Sequence, residues 1–158
     1  MAFTVTTMQL LYDWAMDLNG SPYVWGGQEA IDNEAEFDCS GLIVEGLRRF
    51  GLIVPSKDLS AQGIYNTFKK YEVTDGTLQF GDAVFFGTSK SSITHIMMVM
   101  NEKMLCGAQG GGKDTNSKAE AVQGDGYVRL MPANYRGDRV AVVRLPWPRT
   151  KAEVTSGA

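Results

Sequence analysis

The spacing of apolar residues divides the chain into a helical first half and a strand-rich second half. Residues 4–18 and 59–70 repeat apolar side chains every three or four positions, which predicts two amphipathic helices. A further helix between them has the clearest boundaries. It is predicted to begin at Asp38-Cys39-Ser40, where a polar side chain can cap it, and to end at Gly51.

After residue 80 the pattern changes to short apolar runs that are typical of strands. These runs cover residues 83–86, 93–100, 104–106, 127–131 and 140–145. Helices that precede a set of strands predict an α+β domain, with the N-terminal helices packed on a central antiparallel sheet. We expect one domain over residues 1–149, a Gly-rich and functional or mobile loop at 107–126, and a polar, disordered tail at 150–158.

Composition excludes several classes of function. The 158 residues carry a net charge of −3 without a cluster of Lys or Arg, which argues against nucleic acid as a partner. No apolar stretch is long enough to span a bilayer, so we expect no membrane insertion. With two cysteines and one histidine, a zinc site would need carboxylates to complete it, and we expect neither a metal nor another cofactor.

Two residues could carry nucleophilic chemistry. Cys39 is predicted at a helix start, where unpaired backbone N–H groups favour the thiolate, although most free cysteines are small buried apolar residues. His95 is the only histidine and interrupts the apolar run 93–100. Alone it would be interpreted as a hydrogen-bonded core histidine, but together with Cys39 it suggests a cysteine–histidine pair.

Four segments in chain order resemble the motifs of the NlpC family of cell-wall cysteine peptidases. They are residues 23–27 (Tyr-Val-Trp-Gly-Gly), 37–42 (Phe-Asp-Cys-Ser-Gly-Leu), 78–86 and 94–96 (Thr-His-Ile). The resemblance covers about residues 8 to 146 and implies a papain-like NlpC-type fold. It also implies roles for individual residues. Cys39 would be the nucleophile and His95 the general base.

The resemblance further implies that Tyr23, Asp38 and Ser40 bind substrate. The Tyr23 hydroxyl would lie near the thiolate or the oxyanion, and Asp38 and Ser40 would hold the amino end of the substrate. Each residue also has a structural interpretation: Tyr23 as a packed aromatic residue, Asp38 as a helix cap and Ser40 as a polar residue of the first turn.

The third catalytic residue is where this sequence departs from the family pattern. The family usually orients its histidine with a His, Asn or Gln on the following strand, and here that position falls near Cys106 or Gly107. Cys106 is a weak hydrogen-bond acceptor. Gln109 has a suitable carbonyl a few residues later and is our choice, with a water or a backbone carbonyl as alternatives.

The function implied by the resemblance is hydrolysis of an amide bond in the peptide stem of bacterial peptidoglycan through a thioester at Cys39. The sequence shows no signal peptide, so we expect synthesis in the cytoplasm and delivery by a phage or another non-Sec route, as an endolysin or a tail-associated hydrolase. The alternatives are an amidase or acyltransferase on the same fold, and a non-catalytic virion or binding module.

Overall fold

The helices and strands follow the order expected from the sequence. The computed structural model describes residues 2–17, 28–31, 34–37, 39–109, 127–148 and 151–155. The helices among these residues are α1 (Thr7–Asp17), α2 (Cys39–Arg49) and α3 (Ala61–Phe68), the last followed by a short 3₁₀ helix at Lys69–Tyr71. The strands are β1 (Ala2–Thr6), β2 (Gln28–Ile31), β3 (Glu34–Phe37), β4 (Ala83–Ser89), β5 (Ser92–Asn101), β6 (Met104–Gln109), β7 (Tyr127–Pro132), β8 (Arg139–Val143) and β9 (Lys151–Thr155).

The main sheet is antiparallel throughout and has the strand order β7-β6-β5-β4-β8. Strands β4 to β7 are consecutive neighbours, and β8 returns to the free edge of β4. The prediction of an α+β domain with an antiparallel sheet is confirmed. None of the helices in the described ranges is long and apolar enough to cross a membrane.

Two smaller ladders differ from the sequence expectation. Residues 2–6, partly included in the first predicted helix, form β1 and pair with β9, with Ala2 opposite Thr155. β9 lies inside the segment 150–158, for which we expected a disordered tail. The polar stretch 28–37 contains the β2–β3 hairpin instead of a loop. Pairing between the two ends of a chain leaves no local sequence pattern, because each strand depends on a distant partner.

The main sheet is buried on both faces. The face toward the helices packs against Leu42, Ile43 and Leu47 of α2, and we call this the helix-side core. The opposite face is lined by a second group that we call the outer-face cluster: Val84, Phe86, Met97, Val99, Leu105 and Val142. Each large apolar side chain that is fully buried here contributes about 1.5–3 kcal/mol. Consecutive residues of β4 and β5 alternate between the two groups, so neither strand has a solvent-facing side over most of its length.

Two polar links fix the elements that surround the site. The Gln62 side chain of α3 donates to the Lys90 carbonyl (2.9 Å) and accepts from the Ile93 N–H (2.9 Å), which ties the helix to the start of β5. At the start of β4, buried Asp82 accepts two hydrogen bonds of 3.1 Å from Arg144. The helix α3 itself begins at Ser60, whose hydroxyl accepts from the Gly63 N–H (3.1 Å).

Candidate active site

Cys39 is the first residue of α2, as the sequence predicted. The first N–H groups of a helix have no partner within the helix, and a thiol at this end meets the positive end of the helix dipole. The side chain belongs to the helix-side core and is 9% exposed. Ser40 follows it in the first turn and is partly exposed. The position would stabilise negative charge that develops on the sulfur, and the side chain is largely buried.

His95 lies on β5 directly opposite Phe86 of β4, and the two ring centroids are 5.7 Å apart. Its side chain is 8% exposed. Burial, followed by the Arg136 guanidinium, lowers the pKa of His95 from 6.5 to about 4, and the Asp138 carboxylate opposes this shift. At neutral pH the imidazole is therefore uncharged and able to accept a proton.

Tyr135, in the connection between β7 and β8, links the surroundings of Cys39 and His95. Its ring packs edge-on against Phe86 at 5.6 Å, and its hydroxyl donates to the Met97 sulfur at 3.0 Å. Burial is the main cause that raises the pKa of Tyr135, and the negative charge of a Cys39 thiolate adds to the rise. Tyr135 thus lies within electrostatic range of Cys39. It also contacts the ring of Phe86, which in turn contacts His95. A hydrogen bond between the Cys39 sulfur and the imidazole stays a prediction.

One nitrogen of His95 bears on the question of a third catalytic residue. Nε2 is buried and has no hydrogen-bond partner among the described residues. In the β5–β6 ladder Met98 pairs with Cys106 and Val99 with Leu105. An antiparallel register continued by three residues would bring Gln109 opposite His95. The side chain of Gln109 is outside the described part, so its role stays a prediction.

The two alternative positions on β6 do not supply a polar partner. Cys106 is fully buried, and burial raises the pKa of its thiol to about 11, so it is a neutral and weak hydrogen-bond partner. A Cβ atom at Gly107 would lie 3.2 Å from the Met97 side chain, so methionine fills the space beside it. Neither cysteine forms a disulfide, and the low reactivity expected of Cys106 leaves Cys39 as the better nucleophile.

The remaining predicted residues are described only in part. Tyr23 and Asp38 lie outside the described residues, and the structure does not test the substrate-binding role of Ser40. No group of three or more His, Cys, Asp or Glu side chains suited to a metal ion occurs in the part of the chain that the structure describes.

Sequence reasoning missed the residues that surround His95. The sequence predicts Phe86 only as part of an apolar strand and of the motif 78–86, and it indicates no role for the segment 135–138 between two predicted strands. Arg136 and Asp138 form an ion pair at a spacing of two residues. Nothing in a short polar stretch predicts that Arg136 packs on Phe86, 50 residues earlier in the chain, so only the structure reveals this contact.

Comparison with known proteins identifies the family. The model of the NlpC/P60 family matches residues 20–131. The chain belongs to the NlpC/P60 family. It is 32% identical over 133 residues to the bifunctional muramidase/DL-endopeptidase CwlT of Bacillus subtilis (strain 168). The alignment covers 83% of this chain and 34% of the relative, so the chain spans about a third of that protein's length.

Solved structures of NlpC/P60 domains share the fold. The P60 domain of antigen MAP1204 from M. avium subspecies paratuberculosis aligns with a TM-score of 0.63 and 21% identity, over 87% of this chain and 93% of that one. RipD from Mycobacterium tuberculosis, described as a non-catalytic NlpC/p60 domain protein adapted to peptidoglycan binding, aligns with a TM-score of 0.61 and 18% identity, over 88% and 97% of the two chains. The NlpC-type fold expected from the motifs is confirmed.

Proposed function

We propose that this NlpC/P60 domain is a cysteine peptidase that hydrolyses an amide bond in the peptide stem of peptidoglycan, with Cys39 as nucleophile and His95 as base. The observation that carries the proposal is the position of Cys39 as the first residue of α2, on a sheet that holds His95 beside Phe86 and Tyr135. The DL-endopeptidase activity named for the Bacillus subtilis relative supports the reaction class.

The proposed first step is acyl transfer to sulfur. Because His95 is neutral above about pH 4, it can take the Cys39 thiol proton as the sulfur attacks the carbonyl carbon. The C–S bond forms, the C–N bond breaks, and the imidazolium returns the proton to the leaving amine. A neutral thiol and imidazole before attack fit the low pKa of His95, since an ion pair at rest would require a more basic ring.

The second step returns the enzyme to its starting state. A water molecule gives a proton to His95 and adds to the thioester carbonyl. The C–S bond then breaks, the stem peptide leaves as a carboxylic acid, and Cys39 regains its proton. Gln109 would orient the imidazole, and Tyr23, Asp38 and Ser40 would bind the substrate as the family resemblance implies. By the same resemblance, the bond lies next to D-glutamate and a diamino acid.

Digestion of purified peptidoglycan tests the proposal. We expect soluble fragments with a new amino terminus inside the stem peptide, identified by mass spectrometry, and no release by Cys39→Ala. Cys106→Ala is the matched control, because it removes the other thiol and should retain release. Equal release by the native protein and Cys39→Ala would refute the role of Cys39.

A second candidate function is peptidoglycan binding without hydrolysis. The buried Nε2 of His95, which has no hydrogen-bond partner in the part of the chain that the structure describes, favours it, because an unfixed imidazole is a poor base. RipD provides a precedent on the same fold. Co-sedimentation with peptidoglycan separates the two functions. A folded native protein that sediments with the wall but releases no fragments would establish the binding function and exclude the peptidase.

A further inference from the structure

The ring of Phe86 is the common contact of three side chains on the outer face of the sheet. His95 lies 5.7 Å from it and Tyr135 5.6 Å, both measured between ring centroids. The guanidinium carbon of Arg136 lies 5.0 Å from the ring centroid, a cation–π distance. An imidazole and a guanidinium therefore share one aromatic neighbour.

Arg136 is held over this ring by a bidentate ion pair with Asp138. Its Nε donates to one carboxylate oxygen at 2.8 Å, and its Nη2 donates to the other. A planar fork of this kind fixes the orientation of the guanidinium as well as its charge. The pair is partly exposed, with 34% of the Arg136 and 41% of the Asp138 side chain accessible, so solvent weakens its field without removing it.

The segment that carries the pair is anchored to both strands that position His95. The Asp138 carbonyl accepts a hydrogen bond of 3.0 Å from the Gly87 N–H, directly after Phe86 on β4. The Tyr135 hydroxyl reaches Met97, two residues after His95 on β5. A Cβ at Gly87 would overlap the carbonyl oxygen of Ser92, so the hairpin closes tightly at this point. The ion pair is thereby fixed relative to the imidazole.

Both members of the pair act electrostatically on His95, with opposite signs. The Arg136 cation lowers the pKa of His95, and the Asp138 anion raises it. Other titratable or charged groups on the described elements that pack on or flank this part of the sheet include Cys39 on α2, Cys106 on β6, Arg129 on β7, Tyr135, and Arg139 on β8. Burial, Arg136 and Asp138 are the causes of the shift in the pKa of His95.

We propose that Arg136 and Asp138 are positioning residues for His95, which they hold in place through their contact with Phe86. Their opposite charges also set how readily the imidazole binds a proton. The base would then be tuned by an ion pair on the β7–β8 connection. This inference rests on the proposed function only in calling His95 the base. The protonation equilibrium itself can be measured without any substrate.

The single histidine makes the test direct, because its ring protons give one titrating imidazole signal by NMR. In Arg136→Gln the pKa of His95 should rise by roughly half a unit or more, since a nearby cation is lost. In Asp138→Asn it should fall by a similar amount. Arg139→Gln is the control, because it removes the same charge from the exposed first residue of β8 and should leave the pKa of His95 unchanged.

The direction of the two shifts separates tuning from simple packing. If the variants merely loosened the cluster, water would reach the ring and the pKa would rise toward 6.5 in both. A rise in Asp138→Asn would therefore overturn the proposal. Should Asp138→Asn unfold before the ring titrates, Arg136→Lys decides. This variant keeps the cation, so the pKa of His95 should stay closer to the native value in Arg136→Lys than in Arg136→Gln. Equal rises in the pKa of His95 in these two Arg136 variants would also overturn the proposal.

Activity on peptidoglycan gives the second readout. The acidic limb of kcat/KM should move with the NMR pKa, upward in Arg136→Gln and downward in Asp138→Asn. If the native protein releases no fragments, the peptidase function fails while the NMR shifts still decide the tuning. If activity is present but the opposing shifts are absent, the tuning fails and the peptidase function stands.

Discussion

Replacing His95 with glutamine should make the protein less sensitive to mild acid. The imidazole is buried and neutral in the folded chain, with a pKa of about 4, whereas in the unfolded chain it has an ordinary pKa of 6.5. Between these two pH values the unfolded state binds the proton and the folded state does not. Acidification through this window therefore stabilises the unfolded state.

The magnitude follows from the two pKa values. Folding stability is unaffected by this group above pH 6.5 and declines as the pH falls toward 4, where the loss is complete. At about 1.4 kcal/mol per pKa unit, the full loss is roughly 3 kcal/mol. Because the chain has one histidine, no other imidazole contributes. Most of the loss should be reached by pH 4.5, before the bulk of the carboxylates titrate.

The assay is urea unfolding of the native protein and of His95→Gln at several pH values from 7 to 4.5. The quantity compared is the change in unfolding free energy with pH, since the substitution also changes the absolute stability. We expect a decline in the native protein that is about 2–3 kcal/mol larger than in the variant. Parallel declines in the two proteins would show that His95 is charged or hydrated in the folded state, and the burial argument would be wrong.

Three further substitutions test the surrounding structure by urea unfolding. Cys106→Ala should lower the free energy of unfolding by about 1 kcal/mol, as the loss of a small buried side chain does. A loss of activity in a variant that stays folded would contradict the purely structural role of Cys106. Arg144→Met leaves the carboxylate of Asp82 buried without its cation and should cost about 2 kcal/mol, so an unchanged midpoint would show that the pair is not needed. Gly81→Ala should lower the free energy of unfolding by about 2 kcal/mol, because φ at Gly81 is +89° and the new Cβ would lie 2.9 Å from the Trp147 side chain. Gly137→Ala is the control: no atom lies within 4 Å of the new Cβ, so its stability should be close to that of the native protein.

The sequence was most informative where a local signal is strong. The start of α2 at Cys39 and the antiparallel strands followed from capping chemistry and apolar spacing. The β1–β9 ladder could not be predicted, because its strands come from opposite ends of the chain. The same limit applied to the site. That Cys39 lies within electrostatic range of Tyr135, and that Arg136 lies over Phe86, depends on tertiary packing that no spacing in the sequence records.

The strand order of the main sheet has a consequence for synthesis on the ribosome. Helix α2 and strands β4 to β7 depend mainly on neighbours that are already made, whereas β8 and Arg144 join β4 only when residues 139–144 emerge. The anchor of Asp138 to Gly87 forms at the same late stage. Under the proposed function, we expect the nascent polypeptide to lack wall-cutting capacity until residues 139–144 have been synthesised and have joined β4.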